Sequence, residues 1–312
     1  MPFSEPHPLT GAQAPLTLGH EFVGRVVETG PGVTGVAPGD ILAVDGNRTC
    51  GVCFWCRNDE RTLCPQIAQY GLKADGGLAE QVVVEVGTCV LVPPDADLRI
   101  GALAEPVSVA VRAVRRSRLE PGERIVVVGG GPIGLLVVEV ARAMGAAWVG
   151  VVDPRQERRE LAERVGADAA FDSVDDIVVR VEAGTCAPGP DVVFECAGQP
   201  TTAADAVGLV RRGGRVVLVT RLKDLRLDAS FTAGEKELIA ALTHDRSADF
   251  ETAVDLMVSG RVAAVDIVTH ELTLESAAYS IFSADSDFSP AGKALVTSNR
   301  APQDRVPRAL EL

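Results

Sequence analysis

Residues 124–128, RIVVV, run directly into Gly129, Gly131 and Gly134 in the pattern GxGxxG, and a helical apolar period follows over 133–144. A buried strand that turns into a helix through glycines leaves few fold choices. The backbone must reverse sharply, approach a ligand closely and let the helix pack on the strand, so a Cβ is unwelcome at each of these points. The amides opening the helix then face outward with the positive end of its dipole, ready for a pyrophosphate. Taken alone, the pattern suits a tight glycine turn equally well.

The surrounding sequence decides between these readings. Nearly continuous apolar runs at 124–128, 147–152, 191–196 and 215–220 alternate with helical periods at 133–144, 156–165, 201–210 and 250–258. Strands of this kind are buried on both faces of a parallel sheet, which predicts a doubly wound α/β dinucleotide-binding domain of the Rossmann type. Asp153 falls nineteen residues after Gly134, at the end of the second strand, where a carboxylate accepts from ribose hydroxyls. The same charge repels a 2′-phosphate, so NAD is expected rather than NADP. Arg155, Arg158 and Arg159 offer the opposite outcome, a phosphate-binding group, or else a solvated helix face. The candidate cofactor contacts are Gly129, Gly131, Pro132, Ile133, Gly134, Asp153 and Arg158.

Residues 1–118 have a different character. Short β-rich runs at 22–28, 41–44, 78–86 and 89–92 are separated by turn signals such as PGVTGVAPGD, and a helical period follows over 102–116. The expected division is a mainly β unit of residues 1–118 and 262–312 enclosing a dinucleotide-binding unit of residues 119–261.

Cys50, Cys53, Cys56 and Cys64 form CxxCxxCx7C. Four thiolates this close in sequence can surround one Zn²⁺ with no open position, the arrangement of a structural site. The run resembles a ferredoxin cluster, but seven residues rather than three precede the fourth cysteine. Cys89, Cys186 and Cys196 have no partner at ligand spacing and are expected in or beside strands. An odd total of seven cysteines suits a reducing compartment better than a disulfide framework. No secretory signal begins the sequence, and the longest apolar stretch, 125–152, is interrupted by Glu139, Arg142 and glycines, so a cytoplasmic location is expected. Thirty Lys and Arg against 43 Asp and Glu leave a net charge of −13, which disfavours a nucleic-acid role.

Gly19-His20-Glu21 means little alone, and Glu105 reads most simply as a carboxylate at a helix start. Together, an imidazole and two carboxylates can hold a zinc ion with an open position.

GHE, the four-cysteine lobe, GGLAEQVVV, AEPVSVAV, VVGGGPIG, ECAG and RRGGRVVLV occur in an order that resembles the zinc-dependent medium-chain alcohol and polyol dehydrogenases, along essentially the whole chain. HPLTGAQAPLTLGHEFVG looks most like the 2,3-butanediol dehydrogenase branch, with sorbitol and threonine dehydrogenases nearby. The resemblance implies a GroES-like catalytic domain beside the Rossmann domain, and a cleft between them for nicotinamide and zinc. It implies His20 and Glu21 as ligands of a catalytic zinc, with Glu105 a direct or water-mediated ligand. It further implies hydride transfer between NAD and a secondary alcohol or vicinal diol, and a homo-dimer or homo-tetramer.

Such relatives carry another zinc-binding cysteine some thirty-odd residues before GHE, whereas none of the nineteen residues preceding His20 is cysteine. The GroES-like domain is therefore expected to be N-terminally truncated in this sequence, a start assigned too late being the first explanation. A catalytically impaired NAD-binding protein is the alternative to the enzyme. His244 and His270 read as loop and strand-end histidines, and Lys293 as a residue near the last strand, without assigned roles.

Overall fold

The computed structural model describes residues 6–177, 189–199, 201–222, 225, 227–282, 292–297 and 310–311. Strand β1 (Phe22–Arg25) pairs antiparallel with β2 (Ile41–Val44), in register from Phe22 opposite Val44 to Arg25 opposite Ile41. A two-residue pair, β3 (Asn47–Arg48) and β4 (Ala68–Gln69), flanks the cysteine lobe, which holds helix α1 (Phe54–Arg57) and a 3-10 turn at Arg61–Leu63. Strand β5 (Cys89–Val92) then lies along β2. Val44 and Ala43 are fully buried, as expected of a strand between two others.

The expected strand over 78–86 does not form: only an isolated bridge at Gln81 occurs there. Burial still alternates, with Val82 6% and Val83 91% exposed. Alternation specifies which face is buried, but a strand also needs a hydrogen-bonded neighbour. This segment instead borders an open groove of 940 Å³ that it lines with Val26, Leu42 and Cys89.

Helix α2 (Leu98–Ser117) follows. Asp97 caps it, its side chain accepting the Arg99 N–H, so the helix begins four residues before the apolar period does. Arg99 and Gly101 interrupt that period. Pro106 lies inside the helix, and Glu105 is consequently well past the first turn, which removes its reading as a helix-start carboxylate.

The second layer is a six-stranded sheet of β6 (Arg124–Val128), β7 (Trp148–Val152), β8 (Ala169–Phe171), β9 (Val192–Glu195), β10 (Arg215–Leu218) and β11 (Glu237–Ala240). All pairs are parallel, and the order across the sheet is β11-β10-β9-β6-β7-β8. The strand order reverses between β6 and β9, the switch point outside whose carboxyl ends a ligand crevice opens. Ile125, Val126, Val127, Val192 and Val193 are all fully buried, which is why these strands read as unbroken apolar runs.

Helix α3 (Pro132–Ala143) packs against α2, which also contacts the helix Glu251–Val258. Asp249, 1% exposed, accepts from Arg112 and Arg115 of α2 and from the Asp245 N–H, fastening the segment before that helix to α2. Strands β12 (Val268–Thr273) and β13 (Lys293–Thr297) form a parallel pair, and β14 (Leu310–Glu311) runs parallel to β1. Among the described residues, no helix is long and apolar enough to cross a membrane.

Candidate active site and metal centres

The glycine loop is built as the spacing requires. Gly129 has φ +104°, and a Cβ on Gly134 would stand 1.9 Å from the Gly129 carbonyl oxygen, so neither position accepts a side chain. Pro132 opens α3 with Gly131 as the N-cap, and no side chain caps the helix, leaving its first amides for a ligand. Asp153 is buried at the end of β7; its Oδ2 accepts the Gly130 N–H and its Oδ1 the Arg155 N–H, both at 2.9 Å. Arg158 turns inward, 3.5 Å from Asp153 Oδ2 and 3.8 Å from where a Gly131 Cβ would be. Arg155 pairs with Glu157, and Arg159 donates to the Asp153 and Pro154 carbonyls. Only Arg158 of the three therefore faces the loop.

One ligand atom from each of Cys50, Cys53, Cys56 and Cys64 lies within 4.8 Å of the others. Sulfur separations of 3.5 Å (Cys53–Cys56), 3.6 Å (Cys50–Cys64) and 4.0 Å (Cys50–Cys56) match the roughly 3.8 Å edge of a tetrahedron with Zn–S bonds of about 2.3 Å. The residues fit the ion. Cys53 is also the N-cap of α1, and Gly51 takes a left-handed conformation with φ +72° so that the chain can wrap back. The Val52 and Cys53 amides draw the Cys50 thiol down to about 6, while burial pushes Cys64 up to about 11. Cys89 is buried at the start of β5. Cys196 follows β9, its thiol held protonated by burial and the neighbouring Glu195 charge. Cys186 lies outside the described residues.

His20, Glu21 and Glu105 form a second such cluster, again within 4.8 Å of one another. His20 and Glu21 directly precede β1. Their position is set by a close stack of glycines: a Cβ on Gly71 would meet the Gly19 nitrogen at 2.5 Å, and the Gly77 N–H donates to the Gly19 carbonyl. Glu105 reaches them from α2. Burial lifts its carboxyl to about 7, and burial also lowers the His20 imidazole. A neutral imidazole with a buried carboxylate needing a counter-charge is a donor set suited to a divalent cation with N and O ligands.

Two residues without a role in the sequence reading touch this cluster. Lys293 at the start of β13 ion-pairs with Glu21. His244, expected only as a loop histidine, is buried, 2.8 Å from Asp45 and 3.7 Å from Glu105. Neither carries a local sequence signal. His270 lies exposed on β12. Glu195, ending β9, is fully buried and accepts from the Ala197 and Gly198 amides and the Thr202 and Thr220 hydroxyls, which explains the ECAG motif as a turn anchor.

Two family models match the chain: the alcohol dehydrogenase GroES-like domain over residues 4–94 and the zinc-binding dehydrogenase over residues 132–259. A 2-dehydro-3-deoxy-L-galactonate 5-dehydrogenase of Pseudoalteromonas atlantica is 36% identical over 251 residues, covering 80% of this chain and 73% of its own. Among solved structures, a dehydrogenase from Sinorhizobium meliloti 1021, described as zinc-binding and bound to NADP, superposes with a TM-score of 0.83 at 31% identity, over 91% of this chain and 84% of that one. The 2R,3R-butanediol dehydrogenase of Bacillus subtilis does so with a TM-score of 0.81 at 32% identity, over 89% and 80%. The chain belongs to the zinc-dependent medium-chain family of alcohol and polyol dehydrogenases.

Proposed function

We propose that this chain interconverts a secondary alcohol or vicinal diol and its ketone with NAD, using His20, Glu21 and Glu105 as its metal-binding groups. The observation that carries the reading is the meeting of an imidazole and two carboxylates from separate elements within 4.8 Å. His244, which touches Glu105, follows β11 at the carboxyl edge of the parallel sheet, the edge on which the glycine loop also opens. Metal groups and cofactor loop thus share one side of the sheet, where ligands of doubly wound folds bind.

A zinc ion at these groups supplies Lewis-acid polarisation of the substrate oxygen. The residues themselves do the remaining work. The 129–134 loop and the open amides of α3 hold the pyrophosphate, and Asp153 accepts from the adenosine ribose. Its carboxylate favours NAD; Arg158, close beside it, is the group that would receive a 2′-phosphate, and the Sinorhizobium structure is one bound to NADP. Burial keeps water from the Glu105 carboxylate, while His20 and Glu21 stay partly open for substrate to approach.

The likeness to butanediol dehydrogenase makes acetoin with 2,3-butanediol the first substrate pair to assay, and the galactonate relative makes a polyol or sugar acid the second. The test is metal content with turnover: about two zinc per subunit and NADH-dependent reduction of acetoin or a keto-polyol support the reading. Two bound zincs with no activity on any diol or polyol would defeat it. The Lys293–Glu21 ion pair favours a second reading, a silent NAD-binding protein, because the ammonium already neutralises one of the carboxylates. One zinc per subunit, held at the cysteines, would select that reading. Six free thiols among the described residues suit the cytoplasm, and family behaviour suits a homo-dimer or homo-tetramer, which sedimentation tests.

A further inference from the structure

His244 is 1% exposed, and its Nδ1 is one of three buried side-chain atoms without a hydrogen-bond partner among the described residues. Leaving such an atom unpaired is unfavourable, so its position needs a reason. The other ring nitrogen is committed. Nε2 lies 2.8 Å from Asp45 Oδ1 and 3.1 Å from Asn47 Nδ2; a carboxylate only accepts, so the shorter contact puts the hydrogen on Nε2, pointing to Asp45. Asp45 is clamped in turn: its Oδ1 accepts the Asn47 N–H at 2.8 Å, and its own N–H donates to the Thr88 carbonyl. Asn47 also reaches across to Thr243 Oγ1, beside the histidine. The Phe250 ring lies against the imidazole with centroids 5.6 Å apart.

With one end of the ring held in this way, the other has a single direction. Nδ1 faces Glu105 Oε1 at 3.7 Å, beyond hydrogen-bond length and an ionic contact only when Nδ1 carries hydrogen as well as Nε2. Glu105 thus stands between His244 on one side and His20 with Glu21 on the other.

We infer that His244 is a positioning residue for the metal centre: held by Asp45, it restrains the Glu105 carboxylate so that an oxygen stays turned toward His20 and Glu21. The inference rests on the metal-binding reading proposed above. A buried carboxylate has several rotamers, and an ion gains most from one already in place; groups that orient ligands in this way typically contribute 10–100-fold in metal affinity. The arrangement also makes the centre a joint product of the two halves of the chain. Asp45 lies in the segment matched by the GroES-like model and His244 in that matched by the zinc-binding dehydrogenase model.

Cobalt titration of the full chain tests this. Co²⁺ would be loaded into the wild type, His244→Ala, His244→Gln and Asp45→Asn, and affinities at each site read by chelator competition, with sulfur-to-cobalt absorption marking the cysteine-bound ion. The expected result is a 10–100-fold loss at the second site in His244→Ala, a smaller loss in Asp45→Asn, partial recovery in His244→Gln and an unchanged cysteine site. Wild-type affinity at the second site in His244→Ala overturns the inference, as does an equal loss at both sites, which marks a general structural role. Should His244→Ala not fold, Asp45→Asn decides, and wild-type affinity there overturns the inference. A wild-type chain that binds one Co²⁺, at the cysteines alone, overturns the metal-binding reading itself and this inference with it.

Discussion

The two clusters of metal-type ligands in this protein are built in opposite ways. The cysteine lobe draws all four groups from residues 50–64, around one turn of helix, with Val52 65% and Phe54 67% exposed beside them. The His20–Glu21–Glu105 cluster joins the entry to β1 with the middle of α2, and His244 and Lys293 reach it from still farther along the chain. A closed thiolate cage needs little besides spacing and a few backbone amides, because the ion itself holds the lobe together. An open N/O site must be shaped by packing before any ion arrives, and its buried carboxylate is costly until a counter-charge is near.

The contrast predicts its largest effect at the proposed His20–Glu21–Glu105 centre. His20→Ala is expected to lower kcat/KM at least ~10³-fold, about 4 kcal/mol of transition-state stabilisation, while metal analysis still finds the cysteine-bound zinc. A variant that loses both ions would break the distinction between the clusters. Cys64→Ser should show the reverse: one zinc lost and a thermal midpoint lower by roughly 5 °C or more. Stepwise chelation orders the sites, since a mixed N/O set binds zinc more weakly than four thiolates. Activity should disappear with the first equivalent removed, before the melting temperature falls. The opposite order would show that exposure of the lobe, rather than ligand type, governs metal loss.

Glu139 sharpens the comparison as a buried carboxylate with no such cluster around it. Burial lifts it from 4.5 to about 7, as it lifts Glu105; one oxygen accepts the Ala263 N–H and the other has no partner among the described residues. Below pH 4.5 the folded and unfolded chains both keep this proton, and above about 7 both lose it. In between, the unfolded chain ionises first, so stability falls as pH rises, by up to about 3 kcal/mol. Glu139→Gln should remove that slope in urea melts at pH 4.5 and 8, and a variant with the wild-type slope would refute the assignment. The smallest effect is expected at the cofactor: Asp153→Asn should weaken NAD about 10-fold, or ~1.4 kcal/mol, and move preference toward NADP. Equal NAD affinities in the wild type and Asp153→Asn would leave Arg158 as the residue governing that choice.

Much of the fold was legible because its signals are local. Buried parallel strands announce themselves as apolar runs, and GxGxxG marks a turn in which Gly134 and Gly129 nearly touch. The segment 78–86 was misread because alternation reports faces and not partners. The first turn of α2 was missed although Asp97, a good N-cap, stood before it. Three of the candidate zinc groups could be named from their motifs, but no motif pointed to His244, whose significance depends on Asp45 and Glu105, both remote in sequence.

By itself, then, the sequence determined the α/β layer, the glycine loop, Asp153 at the strand end and the thiolate cage, all of which depend on spacings shorter than one βαβ unit. Tertiary structure alone decided which of three arginines turns toward the loop, that Lys293 neutralises Glu21, and that a histidine expected in a loop is buried against Glu105. The reason is physical: a side chain's charge, burial and direction are set by whatever packs against it, and in this chain those neighbours come from elements far apart in sequence.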